Sequence, residues 1–137
     1  LKKRRSEKMD RYPDDRLYYR EHEWVKPLGD GTALIGISWY AQDSLGDIVY
    51  VSVPDAGEEI TVNEEVGEIE SVKAVSSIYS PVSGTVVEVN SAVIASPEII
   101  NRDPYEEGWI FKVELTDEDE LNDLMSAAQY RKFVEEG

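Results

Sequence analysis

Cysteine is absent from this 137-residue chain. That excludes disulfides, thiolate metal sites and cysteine nucleophiles, so any redox chemistry has to come from a group added to the chain. Histidine occurs once, at His22, which excludes multi-histidine metal sites and leaves one residue on which a Ser-His-Asp arrangement could be built. A Gly-x-Ser-x-Gly nucleophile motif is also missing. No apolar run approaches the roughly 20 residues of a membrane span, and the N-terminus lacks the apolar core of a secretory signal. A soluble, intracellular protein is the expectation. Basic side chains are scarce beyond the first twenty positions: residues 21–137 carry six Lys/Arg against 25 Asp/Glu, a net charge of −19. Such a field repels nucleic acid and anionic membranes and steers the chain toward basic docking surfaces.

What is present reads as one small β-rich domain. The chain is 41% hydrophobic and 31% charged, inside the globular range, and its length suits a single core. Residues 1–16 are charged, contain Pro13 and show no sustained period, so they read as a flexible leader; residues 17–137 form the domain. From Leu17 the chain becomes strand-like through Trp24 and Val25, Gly29-Asp30-Gly31 signals a turn, and Thr32 to Ile37 returns. Ser38 caps a short helix that Gly46 stops. Strands follow at Ile48–Val53, Glu59–Val62, Val66–Val72, Ser77–Tyr79 and Gly84–Val89, then a short helix opened by Ser96-Pro97-Glu98. Gly108 to Leu115 reads as a late strand. Thr116 caps a C-terminal helical segment whose first turn is acidic, with Leu121, Leu124, Met125 and Ala128 as its apolar stripe and a possible break near Ser126. Short, evenly spaced strands point to a small β-sandwich or barrel.

The stretch richest in chemistry is Gly67-Glu68-Ile69-Glu70-Ser71-Val72-Lys73-Ala74-Val75, followed by Ser77-Ile78-Tyr79-Ser80-Pro81-Val82-Ser83-Gly84. Lys73 falls between two strand-prone runs, where a tight hairpin would expose it. On composition alone it is a solubilising charge. The run Glu-Ser-Val-Lys-Ala followed by Tyr-Ser-Pro-Val-Ser-Gly closely resembles the lipoylation segment of glycine cleavage H proteins. Glu21-His22-Glu23-Trp24-Val25, Tyr40-Ala41-Gln42, Leu45-Gly46-Asp47-Ile48-Val49-Tyr50-Val51, Glu88-Val89-Asn90 and Asp103-Pro104-Tyr105 are further landmarks of that family, in order, over about residues 18–136.

The resemblance implies a mainly β barrel-sandwich hybrid of the lipoyl-domain type, with short helices and a C-terminal helical segment. It implies lipoate joined to Lys73 as an amide, a neutral tether whose dithiolane does the chemistry while the protein positions it. The carrier would catalyse nothing itself. It would take an aminomethyl group from a pyridoxal phosphate-dependent glycine decarboxylase to a tetrahydrofolate-dependent aminomethyltransferase, and its dithiol to dihydrolipoamide dehydrogenase. Glu23 is the residue implied to hold the loaded arm in a cleft, with a solvated strand glutamate as the alternative. Glu70 and Gly84 are implied to be read by the lipoyl-attaching enzyme, although Gly84 also suits a turn that needs positive φ. His22 reads as a surface or strand-contact histidine rather than a base.

Trp39 before Tyr40, Ser77 in place of a frequent aspartate, and the basic leader depart from the family pattern. A biotinyl domain favours methionines beside its lysine, and here Val72 and Ala74 stand there. An H-like relay donating lipoyl groups to other enzymes would use the same arm and is not separable by sequence. A monomer in a bacterial cytoplasm is expected; a mitochondrial matrix fits less well, because the acidic residues of the leader are unlike a transit peptide.

Overall fold

A computed structural model describes residues 11–137. Among the described residues nine strands form two antiparallel sheets. The larger has the order β1-β2-β3-β9-β8-β5 and the smaller β4-β6-β7. The strands are β1 (Leu17–Tyr18), β2 (Glu23–Pro27), β3 (Thr32–Ile37), β4 (Ile48–Ser52), β5 (Glu59–Ile60), β6 (Glu65–Ser71), β7 (Val75–Tyr79), β8 (Gly84–Val89) and β9 (Phe111–Leu115). The helices are α1 (Trp39–Leu45), α2 (Ser91–Ala95), α3 (Ile99–Arg102) and α4 (Ala127–Glu136), with a 3₁₀ turn at Glu118–Asp123. The expected mainly β architecture with short helices and a C-terminal helix is what the chain adopts.

Alternation along the strands builds two cores on the two faces of the larger sheet. Val25, Ile35, Phe111, Val113 and Val86 face the smaller sheet and meet Val51, Ile69 and Ile78. On the opposite face Trp24 packs with Tyr12, Tyr18, Tyr105 and Tyr130. The strand partner of Trp24 is Gly36, where a Cβ would lie 2.5 Å from the indole. The absent side chain makes room for the ring.

Residues 1–10 of the expected leader lie outside the described residues, but residues 11–16 differ from the expectation because they pack on the body. Tyr12 sets its edge against Tyr130 and Tyr18, with centroids 5.3 and 6.3 Å apart. The Arg16 guanidinium is buried over the rings of Trp24 and Tyr105 and donates to the Tyr105 carbonyl at 2.7 Å. Aromatic and cation–π anchoring of this kind leaves no periodic trace in sequence.

Other boundaries shift for local reasons. Asn90 caps α2, which the sequence reading missed, and the helix expected from Ser96 begins at Ile99 behind Glu98. Asp117 rather than Thr116 caps the 3₁₀ turn. The break at Ser126 is real: its side chain accepts from Gln129 N–H while the Gln129 side chain accepts from Ser126 N–H, a reciprocal cap that starts α4. Tyr130 is buried on that helix, whereas Ala128 of the expected stripe is exposed.

Gly67 of β6 lies beside the end of its neighbour β4, and a Cβ there would lie 2.1 Å from the Ser52 carbonyl oxygen. Backbone cannot swing aside as a side chain can. Gly67→Ala is expected to lower stability by about 2–3 kcal/mol, measured by urea unfolding; a loss under about 0.5 kcal/mol, the scale of an ordinary surface change, would contradict the packing described.

Candidate functional site

The β6–β7 hairpin presents Lys73 at its tip through a small set of local bonds. Ser71 N–H donates to the Ala74 carbonyl at 2.8 Å, closing the turn. The Ser71 hydroxyl oxygen accepts from the N–H groups of Lys73 and Ala74 at 3.3 and 3.1 Å. Val72 N–H reaches the Asp47 carbonyl at 3.0 Å and ties the tip to the corner between α1 and β4. That corner is held by Asn101, which donates to the Gly46 carbonyl at 2.8 Å and accepts from Ile48 N–H at 2.9 Å.

Gly46 ends α1 at φ +80°, a conformation that disfavours other residues. The Lys73 side chain passes over it, with Cε 3.4 Å from the point a Gly46 Cβ would occupy. Lys73 is exposed, and its Nζ makes no hydrogen bond or ion pair among the described residues. The amine is open to acylation.

Glu23 occupies the start of β2, paired with Ile37, and its side chain is buried rather than solvated, 2% exposed. Tyr79 N–H donates to Oε2 at 3.0 Å. The other oxygen, Oε1, has no partner. Desolvation pushes the carboxyl well above the usual glutamate range, although the Tyr79 N–H opposes the shift. An orphaned buried acceptor costs about 1–3 kcal/mol, a cost that a cationic donor would offset. Tyr79 is the last residue of β7 and Val75 the first, so this one strand runs from the Lys73 tip to the Glu23 carboxylate, roughly 14 Å at a strand's rise.

His22, beside Glu23, takes φ +81° and is half-buried rather than a surface residue. Its Nδ1 lies 2.7 Å from the Tyr130 hydroxyl, which also meets the Ser38 hydroxyl at 2.7 Å. Burial lowers its pKa. It therefore anchors α4 to the start of β2. Glu70 is exposed on β6, opposite Tyr50 and Val75. Gly84 lies in the other sheet, and the turn role with positive φ is a misreading: it is buried in β8, where a Cβ would stand 2.2 Å from the Glu114 carbonyl oxygen. Close backbone approach explains that glycine. Ser77, in place of aspartate, donates its hydroxyl proton to the Glu65 carboxylate. Asn101 escaped the sequence, since nothing local marks a contact 55 residues away.

The glycine cleavage H-protein family model matches residues 16–137. The chain belongs to the glycine cleavage H-protein family. A glycine cleavage system H protein of Symbiobacterium thermophilum is 50% identical over 129 residues, covering 94% of this chain and all of that one. Its counterpart in Coprothermobacter proteolyticus is 56% identical over 119 residues, 87% of this chain and 94% of that one. The crystal structure of a glycine cleavage system H protein from Mycobacterium marinum superposes with a TM-score of 0.81 at 39% identity, over 88% of this chain and 96% of that one. The fold is thus the lipoyl-domain-like barrel-sandwich expected. The chain is an H protein of the glycine cleavage system, a carrier component that shuttles between the system's enzymes.

The raised Glu23 pKa has a consequence for stability. Because the folded value lies above the unfolded one, near 4.3, the contribution is fully present below that pH and is lost as pH rises through the folded value. Urea midpoints from pH 4 to 8 should therefore show wild type losing ground to Glu23→Gln as pH increases; a pH-independent difference would mean the carboxyl is not desolvated.

Proposed function

We propose that Lys73 bears the lipoyl group and that the chain itself is non-catalytic. The observation that carries this reading is an exposed, unengaged lysine held at a bonded hairpin tip, one strand's length from a buried carboxylate with a free oxygen. The residues fit the group: the tip is exposed and the Lys73 amine is unengaged, and lipoyl attachment requires an accessible amine. When bound, the lipoyl dithiolane supplies the redox couple and the sulfur that accepts the aminomethyl group.

The chain's own residues do the positioning. Ser71 and the Val72–Asp47 bond hold the hairpin tip, so the arm swings from a fixed point and its load is presented at high effective concentration to successive enzymes. Glu23 offers Oε1 to a cationic amine, which would draw the carboxyl into its charged form and exclude hydrolytic water. Glu70 is the residue of the hairpin face that the lipoyl-attaching enzyme reads; Gly84 contributes through the backbone it lets approach Glu114. The partners are glycine decarboxylase, the aminomethyltransferase and dihydrolipoamide dehydrogenase, met by a monomer in a bacterial cytoplasm.

Reconstitution with a glycine decarboxylase tests this. The lipoylated chain should support glycine–bicarbonate exchange, and failure to do so would leave only the relay reading. With Glu23→Ala, release of the carried amine into water should quicken about tenfold or more, the loss of one charge-assisted bond; an unchanged rate would remove Glu23 from the site.

A further inference from the structure

One buried hydroxyl braces both ends of the route between Lys73 and Glu23. Tyr130 of α4 is fully buried, its ring stacked on Tyr18 at 4.7 Å and met edge-on by Tyr12 at 5.3 Å. Aromatic packing of this kind fixes the ring, and with it the place of the hydroxyl, 2.7 Å from His22 Nδ1 and 2.7 Å from the Ser38 hydroxyl. The Ser38 hydroxyl oxygen also accepts from Ala41 N–H at 3.2 Å as the cap of α1. From there α1 runs seven residues, about 10 Å at a helix's rise, to the corner where the Asp47 carbonyl accepts from Val72 N–H of the hairpin tip. The donors balance in either tautomer of His22. Tyr130 donates to a bare Nδ1 while Ser38 donates to Tyr130, or a protonated Nδ1 donates to Tyr130 and Tyr130 to Ser38. No proton has to leave, so the network holds position rather than moving charge.

The other end of the network is the stronger constraint. His22 takes φ +81°, a left-handed conformation that is uncommon for residues with a side chain and persists where the surroundings impose it. Three bonds impose it here: His22 N–H to the Tyr19 carbonyl at 2.8 Å, Ser38 N–H to the His22 carbonyl at 2.9 Å, and the side chain to Tyr130. The next residue is Glu23, whose entry into β2 is set by that turn. Its carboxyl is 2% exposed and holds Tyr79 N–H at 3.0 Å, so a tilt at residue 22 lengthens that bond and displaces the free oxygen. Apolar packing alone would be met by phenylalanine at 130; the hydroxyl adds the bond that locks the turn. We propose that His22 and Tyr130 are positioning residues for the carried amine: the Tyr130 hydroxyl locks the left-handed turn at His22, and the turn aims the Glu23 carboxyl. The inference rests on Glu23 being the group that meets the amine, and both residues act through it.

Tyr130→Phe keeps the ring and removes the hydroxyl. In the unmodified variant, amide exchange at Tyr79, which reads the bond to Glu23, should quicken about tenfold while amides of the β8–β9 ladder keep the wild-type rate. In lipoylated chains loaded by a glycine decarboxylase, Tyr130→Phe and His22→Ala should each release the amine about threefold faster than wild type. His22→Asn, which tolerates the left-handed turn and keeps a polar atom at the Nδ1 position, should recover most of the retention. Because the effect passes through Glu23, Tyr130→Phe combined with Glu23→Ala should release the amine no faster than Glu23→Ala alone. Wild-type exchange at Tyr79 or wild-type release in Tyr130→Phe overturns the inference. So does faster exchange across β8–β9, a His22→Asn variant that behaves as His22→Ala, or additivity in the double variant. If Glu23→Ala itself leaves release unchanged, the Glu23 reading falls and this inference with it.

Discussion

The hydrogen bond from Tyr79 N–H to the Glu23 carboxyl joins the two sheets and ties the lysine-bearing hairpin to a buried acid. β7 leaves the lysine-bearing tip and ends on this bond, while β2 begins with it, so the position of the tip relative to the buried acid is fixed by one strand of the smaller sheet anchored on one residue of the larger. The carboxylate is only half satisfied. In an ordinary core position a glutamine or an apolar residue would be less costly, which is what the proposed pairing with a cationic donor would offset.

The remainder of the molecule serves that geometry. Trp24 follows Glu23 directly and is locked on the outer face of the large sheet by Gly36, Arg16 and Tyr105. Tyr130 reaches from α4 to His22, the residue before Glu23. The start of β2 is therefore pinned from the N-terminal segment, the C-terminal helix and the inner core at once. At the other end of β7, Ser71, Asp47 and Asn101 pin the hairpin tip. Rigidity at both ends of one strand would give the proposed tether a fixed origin and a fixed destination.

Much of this was legible before the structure because it was local. The Gly29-Asp30-Gly31 turn, the helix between Ser38 and Gly46 and the strands flanking Lys73 each carry their own residue chemistry, and the ordered motifs around Lys73 pointed to the family. What could not be read was what depends on contacts far apart in the chain. Tyr12 and Arg16 looked like leader residues because stacking against Tyr130 and Trp24 has no period. Glu23 could equally have been solvated until the sheets closed over it. The reason for Gly84 is not legible in sequence because a turn signal and a close backbone approach both call for glycine, and only the neighbouring strand distinguishes them. The alignment of Tyr50, Glu70 and Val75 across the small sheet emerges only from register, which sequence patterning sets but does not display.

The central claim, that Lys73 carries the lipoyl group, is tested most directly by peptide-level mass spectrometry of the protein made in cells that synthesise lipoate. One lipoyl increment is expected, confined to the peptide containing Lys73 and absent from Lys73→Arg. A biotin increment, a lipoyl group on another lysine, or an unmodified Lys73 in such cells would contradict it.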